Sequence, residues 1–476
     1  MKSLTNPLDD ISTSYFNAKF NEAKTIGDLK PENPFHKDFK IIKLLGEGAF
    51  GKVYLAKSQI NDVERAIKII SKDNYEGKTY EREFKILKEL NHPNILKYAG
   101  SYDYKNKVYL VTEYCNGKEL LNEIIKNCRL TEKEAQNYFR EISEALCYLH
   151  SKNVVHRDLK PENIIIEKKT KLVKLIDFGL SKKKFKKTTK IRSEVGTVMY
   201  SSPEVDAGYY SEKCDVWSMG VILYLTLRGQ LPFYADTTKK LIKIKKSYSP
   251  EFKGYKWDRI SKNAKDFISK CLCKKEKERM SAIEALNHPW LREEANDEVI
   301  LDQKLVNQLY TYSRECRLIN NIKYFICAFN ELHKKEKDIV NLFKRIDTDK
   351  NGEISKEELF HAFETNIEIF QMFKITRHQI ELLFNQLDLD CSGSIDYIEF
   401  IVAIKNFASG FTRKTLKNAF DELSGEDGYL NLKSLSKTLG TALPENEWLS
   451  ILDRYDKDNN GKIDFEEFLT IFKVNV

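Results

Sequence analysis

Two short signatures constrain this chain more than anything else in it: Val155-His156-Arg157-Asp158-Leu159-Lys160-Pro161-Glu162-Asn163 and, a little further on, Asp177-Phe178-Gly179. The residue types suit phosphoryl transfer, where catalysis is positioning and charge neutralisation more than covalent chemistry. Asp158 would accept or orient the proton of an acceptor hydroxyl. Lys160 would neutralise the γ-phosphoryl group. Asn163 would bind a magnesium ion through its amide oxygen, and Asp177 would bridge magnesium to the β/γ-phosphates.

A phosphate cradle belongs upstream of these signatures, and Gly46-Glu47-Gly48-Ala49-Phe50-Gly51-Lys52-Val53 supplies the glycines. Alone that pattern is weak, since glycines also serve tight hairpins. Here the turn lies between two strand-like runs, unlike the strand-to-helix turn of a dinucleotide fold, and Ala66-Ile67-Lys68 follows. Glycines let backbone N–H groups close over phosphates. Lys68 would hold the α/β-phosphates, and Glu83, on a charged helical stretch from Tyr80 to Leu90, stands where its orienting carboxylate is needed.

Around these motifs the chain divides. Residues 1–38 carry Pro7, Pro31 and Pro34 without a sustained period and read as an extension, partly disordered or packed on the first domain. Residues 39–292 read as a small β-rich lobe followed by a larger α-rich lobe. The apolar run Val216–Leu227 is too short for a membrane span and reads as a buried helix. Residues 293–333 read as a basic amphipathic junction helix, with Leu305, Leu309, Ile322, Phe325 and Phe329 as candidate anchors and Arg314 and Arg317 between them. Beyond it, residues 334–476 show a repeat.

That repeat is calcium-loop grammar, D-x-[DN]-x-[DNS]-G-x-x-x-x-x-E, with oxygen ligands at fixed positions and glycine at the sixth for a sharp turn. Asp347, Asp349, Asn351, Glu353 and Glu358 fit around Gly352. Asp388, Asp390, Ser392, Ser394 and Glu399 fit around Gly393, and Asp456, Asp458, Asn460, Lys462 and Glu467 around Gly461. Glu353, Ser394 and Lys462 would contribute backbone carbonyls. Ser355, Asp396 and Asp464 hold the ninth position. Ile354, Ile395 and Ile463 hold the eighth, where paired loops share a short bridge. A further repeat centred on Gly428 puts Leu423 at position one and Ser434 at position twelve, so it is expected to keep the fold without binding calcium. Pairing is expected first with second and third with fourth.

Residues 39–292 resemble eukaryotic protein kinases throughout. Ser202-Pro203-Glu204 stands where the family has Ala-Pro-Glu. Asp215, Trp217 and Gly220 match its buried central helix, and Arg279 matches the partner of Glu204. Lys160 and Glu162 are the serine/threonine version of the loop. The resemblance implies a nucleotide site drawn from Gly46, Gly48, Gly51, Val53, Lys68, Glu83, Glu113, Cys115, Glu119, Asn163 and Asp177, with Glu119 on the ribose and Thr112 as gatekeeper. Lys118 replaces a usual glycine. Arg157 implies an anion in the activation segment: phosphorylated Thr188, Thr189 or Ser193, or unmodified Glu194.

Kinase, basic junction and four EF-hands together resemble the calcium-dependent protein kinases of plants and apicomplexan protists. The fold implied is α+β: a bilobal kinase followed by an all-α calmodulin-like domain of two EF-hand pairs. The implied cofactors are ATP, Mg2+ and Ca2+. The implied partners are protein substrates with serine or threonine in basic context. In that family the junction blocks the kinase until calcium rearranges the EF-hands, and an amphipathic basic helix is a suitable ligand for an opened EF-hand groove. Arg314 or Arg317 is a candidate mimic of a basic substrate residue in the cleft.

Composition narrows the field further. A net charge of +8 over 476 residues does not argue for nucleic acid, and no nucleic-acid-binding signature is present. The nine scattered cysteines read as reduced thiols. No signal peptide, N-myristoylation site or other intrinsic membrane anchor is read, so the expectation is a cytoplasmic monomer. Two other readings compete: a catalytically dead kinase fold serving as a calcium-controlled scaffold, and a kinase whose EF-hands are a constitutive structural module.

Overall fold

The computed structural model describes residues 33–472 apart from 49–50, 73–78, 184–197, 207–210, 293–300, 302, 314, 331–336, 367–374, 406–410, 425–427 and 440–444. The small lobe is a five-stranded antiparallel sheet in the order β1-β2-β3-β5-β4. Its strands are β1 (Phe39–Gly48), β2 (Gly51–Ser58), β3 (Glu64–Ser71), β4 (Tyr98–Tyr104) and β5 (Lys107–Glu113). The short helix α1 (Pro34–Asp38) precedes it, with Asn33 as its cap and proline at its first turn. Phe35 is fully buried and stacks on Phe39 and Tyr109, so this end of the extension is part of the small-lobe core. Helix α2 (Thr79–Glu89) brings Glu83 toward β3.

The large lobe is built on α3 (Glu132–Ser151), started by a Thr131–Glu134 capping box, and α4 (Lys213–Arg228). Nearly every side chain of α4 is buried, including Trp217 and Met219, which is why its sequence is apolar all round. Gly220 is required by packing, because a Cβ there would meet Cys271 Cβ at 2.5 Å. Arg279 is buried beneath Glu204, with Nη2 donating to Oε2 at 2.9 Å and its guanidinium 5.0 Å from the Trp217 ring. The paired charges and the ring together offset the cost of desolvating the arginine.

The expected single junction helix is two: α5 (Gln303–Ser313) and α6 (Arg317–Phe329). Leu305, Leu309, Ile322, Phe325 and Phe329 are all buried in one core with the EF-hand residues. The loop bridges Ile354–Ile395 and Leu430–Ile463 pair first with second and third with fourth. The exit helices share a device. Ser355 and Glu358, Asp396 and Glu399, and Asp464 and Glu467 form capping boxes, so each loop's last glutamate also accepts from the N-terminal backbone of its helix. In the third hand Asn431 and Ser434 cap each other in the same two positions.

Candidate active site and calcium loops

Lys68 sits on β3 opposite Val53. Its Nζ donates to Glu83 Oε1 at 2.8 Å and to Asp177 Oδ1 at 3.1 Å. Burial pushes the Glu83 carboxyl up, with Lys68 opposing it. Burial acts the same way on Asp177, but there the Lys68 ammonium and the Gly179 N–H prevail and hold the carboxyl below its ordinary range. The side chain of Glu83 is 2% exposed against 30% for Asp177, so Asp177 is the carboxylate that opens to the cleft. An anionic, partly open Asp177 suits a hard cation.

The catalytic loop is fixed from below by Asp215. This fully buried carboxylate accepts from the backbone N–H of His156 at 2.9 Å and of Arg157 at 2.8 Å, and lies 3.1 Å from His150 Nε2. Burial would raise its carboxyl, but these donors keep it below the usual range. Phe178 is buried with its ring centroid 4.9 Å from that of His156. Asp158 Oδ2 accepts from Lys160 Nζ at 2.9 Å and Asn163 Nδ2 at 3.1 Å. Asp158 Oδ1 is buried and has no hydrogen-bond partner among the described residues. With Nδ2 of Asn163 engaged, its Oδ1 is the amide atom left to meet a cation.

The other nucleotide-site candidates are placed as follows. Gly46 and Gly48 end β1. Gly51 has φ +132°, and a Cβ there would lie 2.3 Å from Ile69 O, so its small size is needed for strand approach as well as for the turn. The Glu113 side chain turns away into a pair with Lys174 Nζ at 2.8 Å. Cys115 O accepts from Gly117 N at 2.9 Å. Glu119 is near Glu162, and burial together with that neighbour raises its carboxyl. Thr112 is buried, with Oγ1 3.3 Å from Ala66 O. Thr188, Thr189, Ser193 and Glu194 lie outside the described residues.

In the three complete loops the carboxylates converge. Asp347, Asp349 and Glu358 form one group, Asp388, Asp390 and Glu399 another, and Asp456, Asp458 and Glu467 the third, with ligand atoms within 4.8 Å of one another. The sixth-position glycines have φ of +83°, +88° and +75° for Gly352, Gly393 and Gly461. Burial pushes the Asp347 carboxyl up to about 8 and raises Glu399 strongly, with neighbouring carboxylates adding to both. Such crowding of acids is what a divalent cation relieves, so the residues fit calcium. Asn351 Oδ1 accepts from Glu353 N at 2.8 Å, and Ser392 Oγ donates to Ser394 O at 3.0 Å. Asn460 Oδ1 accepts from Lys462 N at 2.8 Å.

Comparison with known proteins agrees with both halves. The protein kinase domain model matches residues 39–291, an EF-hand domain pair matches 336–405, and an EF hand domain matches 447–474. Calcium-dependent protein kinase 4 of Plasmodium falciparum (isolate 3D7) is 31% identical, over 96% of this chain and 91% of its own. Calcium-dependent protein kinase 4 of Plasmodium berghei (strain Anka) is 32% identical over the same shares. Calcium-dependent protein kinase 5 of Plasmodium falciparum is 33% identical over 89% and 76%. The chain belongs to the calcium-dependent protein kinase family.

In this kinase the EF-hand module touches both lobes. In the large lobe, Lys344 Nζ lies 2.6 Å from Glu144 Oε2 and Lys152 Nζ 2.5 Å from Glu353 Oε1. Gly352 lies against the ring of Tyr148, whose Cδ2 is 2.3 Å from where a Cβ would sit. Leu172 joins the EF-hand core. In the small lobe, Asn61 Nδ2 donates to Phe329 O at 2.9 Å, Lys414 pairs with Asp62, and Asn91 Nδ2 donates to Asp396 Oδ2 at 2.8 Å. Arg317 does not enter the cleft. Its Nη2 donates to Asp388 O at 2.8 Å and Leu389 O at 3.0 Å, capping the start of the second calcium loop. Arg314 lies outside the described residues. Asn91, Glu144, Tyr148 and Lys152 escaped the sequence reading, since no local pattern marks a contact between segments so far apart in the chain. Among the described residues no helix is long and apolar enough to cross a membrane.

Proposed function

We propose that this calcium-activated serine/threonine kinase is relieved of autoinhibition when its EF-hand module takes up the junction helices and bridges the two lobes. The supporting observation is a single one: the apolar face of α5 and α6 is buried in the EF-hand core while Lys68, Glu83 and Asp177 are assembled. Lys68 holds the α/β-phosphates of ATP with Glu83 orienting it. Asp158 takes the acceptor hydroxyl on its free Oδ1, and Lys160 steadies the transferred group. Asn163 and Asp177 would hold magnesium, which when bound neutralises charge on the β/γ-phosphate oxygens. The neighbouring carboxylates of Glu119 and Glu162 favour a substrate with basic residues near its serine or threonine. The kinase is taken to act as a cytoplasmic monomer.

The experiment is phosphoryl transfer from ATP to a basic serine peptide in calcium and in chelator, with Asp158→Asn as the blank. Activity confined to calcium is expected. Equal activity in both would leave the kinase and sink the switch.

A further inference from the structure

Residues 316–318 start α6 without help from their own side chains. Cys316 is the cap residue, in extended backbone, and makes no side-chain bond to the helix. The first N–H groups of a helix need an acceptor from outside it. Glu447 supplies one from the first turn of the helix Glu445–Tyr455, which enters the fourth hand. Its Oε2 accepts from Leu318 N at 2.9 Å and from the Cys316 thiol at 3.4 Å. A carboxylate there also suits the positive end of the α6 dipole. The break between α5 and α6 makes this contact possible, because a continuous helix would spend the Leu318 N–H on its own preceding turn.

Arg317 reaches the other way. Its Nη2 donates to the Asp388 and Leu389 carbonyls and lies 2.9 Å from Cys391 Sγ. Those carbonyls lie at the C-terminal end of the helix Arg377–Leu387, which enters the second hand, and a guanidinium suits that negative end. One turn of the junction therefore takes a carboxylate from the entry helix of the fourth hand and gives a cation to the entry helix of the second. Further along, α6 packs on Tyr397–Ile404 of the second hand and on Arg413–Ser424 of the third. Among the described residues no helix of one EF-hand pair packs to that extent on a helix of the other.

We propose that residues 316–318 are a pin coupling the two EF-hand pairs, so that calcium in the fourth loop raises calcium affinity in the first and second. Calcium turns the entry helix of a sensor hand against its exit helix. A turn at either entry helix moves the same pin, and the coupling is reciprocal. The inference rests on the calcium reading above and adds to it a route between the pairs.

The test is direct calcium binding to the full chain by flow dialysis, a readout independent of phosphoryl transfer. Glu467→Gln silences the fourth loop. In the otherwise wild-type chain it is expected to weaken binding at the first and second loops about tenfold. In an Arg317→Met chain, where the pin has lost its hold on the second hand, the same change is expected to weaken them less than about twofold. No drop in the Arg317 chain overturns the proposal. An Arg317→Met chain that keeps the full drop makes Arg317 structural only and overturns it equally. Glu447 tests the pin from its other side. Glu447→Ala removes the acceptor and is expected to abolish the coupling, whereas Glu447→Gln keeps an acceptor oxygen and is expected to retain most of it. Should Arg317→Met fail to fold, coupling that persists in Glu447→Ala overturns the proposal. A wild-type chain that binds no calcium removes the reading of the loops, and the proposal with it.

Discussion

The first and fourth calcium loops share one ligand grammar and sit in opposite surroundings. In the first, Asp347 is 2% exposed and Gly352 lies against Tyr148. In the fourth, a Cβ on Gly461 would meet nothing within 4 Å, and Asp458 is exposed. The second loop sides with the first, because its Asp396 accepts from Asn91 of the small lobe. In the N-terminal pair, then, residues of the ligand loops also make the contacts to the kinase. Whatever calcium does to those loops is thermodynamically linked to docking. The C-terminal pair packs the junction, with Glu447 accepting from Leu318 N at 2.9 Å, and its fourth loop is open around Gly461. Two loops that look interchangeable in the sequence have different tasks.

The strongest way to break this contrast is Glu144→Ala. It leaves Lys344 buried without its carboxylate, at about 3–5 kcal/mol. Calcium-stimulated transfer is expected to collapse, and hydrogen exchange around Tyr148 to rise. Retained activation would mean that the N-terminal pair does not need its seat on α3.

The matched glycines sharpen the contrast next. Gly352→Ala and Gly461→Ala suffer similar backbone strain, at φ of +83° and +75°. Only the first also drives a methyl group into Tyr148, an overpacking cost of about 2 kcal/mol, or roughly thirtyfold. A calcium titration of activity should show the Gly352 variant displaced by about that factor beyond the Gly461 variant. Equal displacement would mean the two loops are equivalent. A smaller effect is expected for Asn91→Ala, which removes one hydrogen bond to Asp396, worth about 1 kcal/mol. The half-activating calcium concentration should rise about fivefold. Least of all, Glu466→Ala breaks an exposed pair with Arg413 and should change melting and activation by under about 0.5 kcal/mol.

What the sequence carries well is whatever is contiguous. The catalytic loop and the three complete calcium loops are legible because fixed spacings encode fixed geometry, whereas the Arg279 partner of Glu204, 75 residues away, is legible only through the resemblance to protein kinases. The junction's break is harder to see. Cys316 caps α6 in extended backbone without a side-chain bond to the helix, so no serine, threonine or aspartate announces the new helix. Arg317 reads as a substrate mimic from its charge, and only the fold shows the carbonyls of Asp388 and Leu389 waiting for it.

The capping boxes carry a last consequence. Glu358 accepts from Ser355 N at 2.9 Å and from Thr348 N at 2.7 Å, and it also occupies the twelfth ligand position of its loop. Its Oε2 thus serves the helix cap and its Oε1 the loop backbone, while both oxygens suit a cation. A helix cap is worth about 1 kcal/mol, so each ion must outbid a partner already in place. The third hand differs at this point. There Ser434 has abandoned the contest: paired with Asn431, it keeps the cap and leaves the ion without its bidentate ligand. The third hand thus keeps the helix cap of a sensor and lacks a carboxylate at its twelfth position.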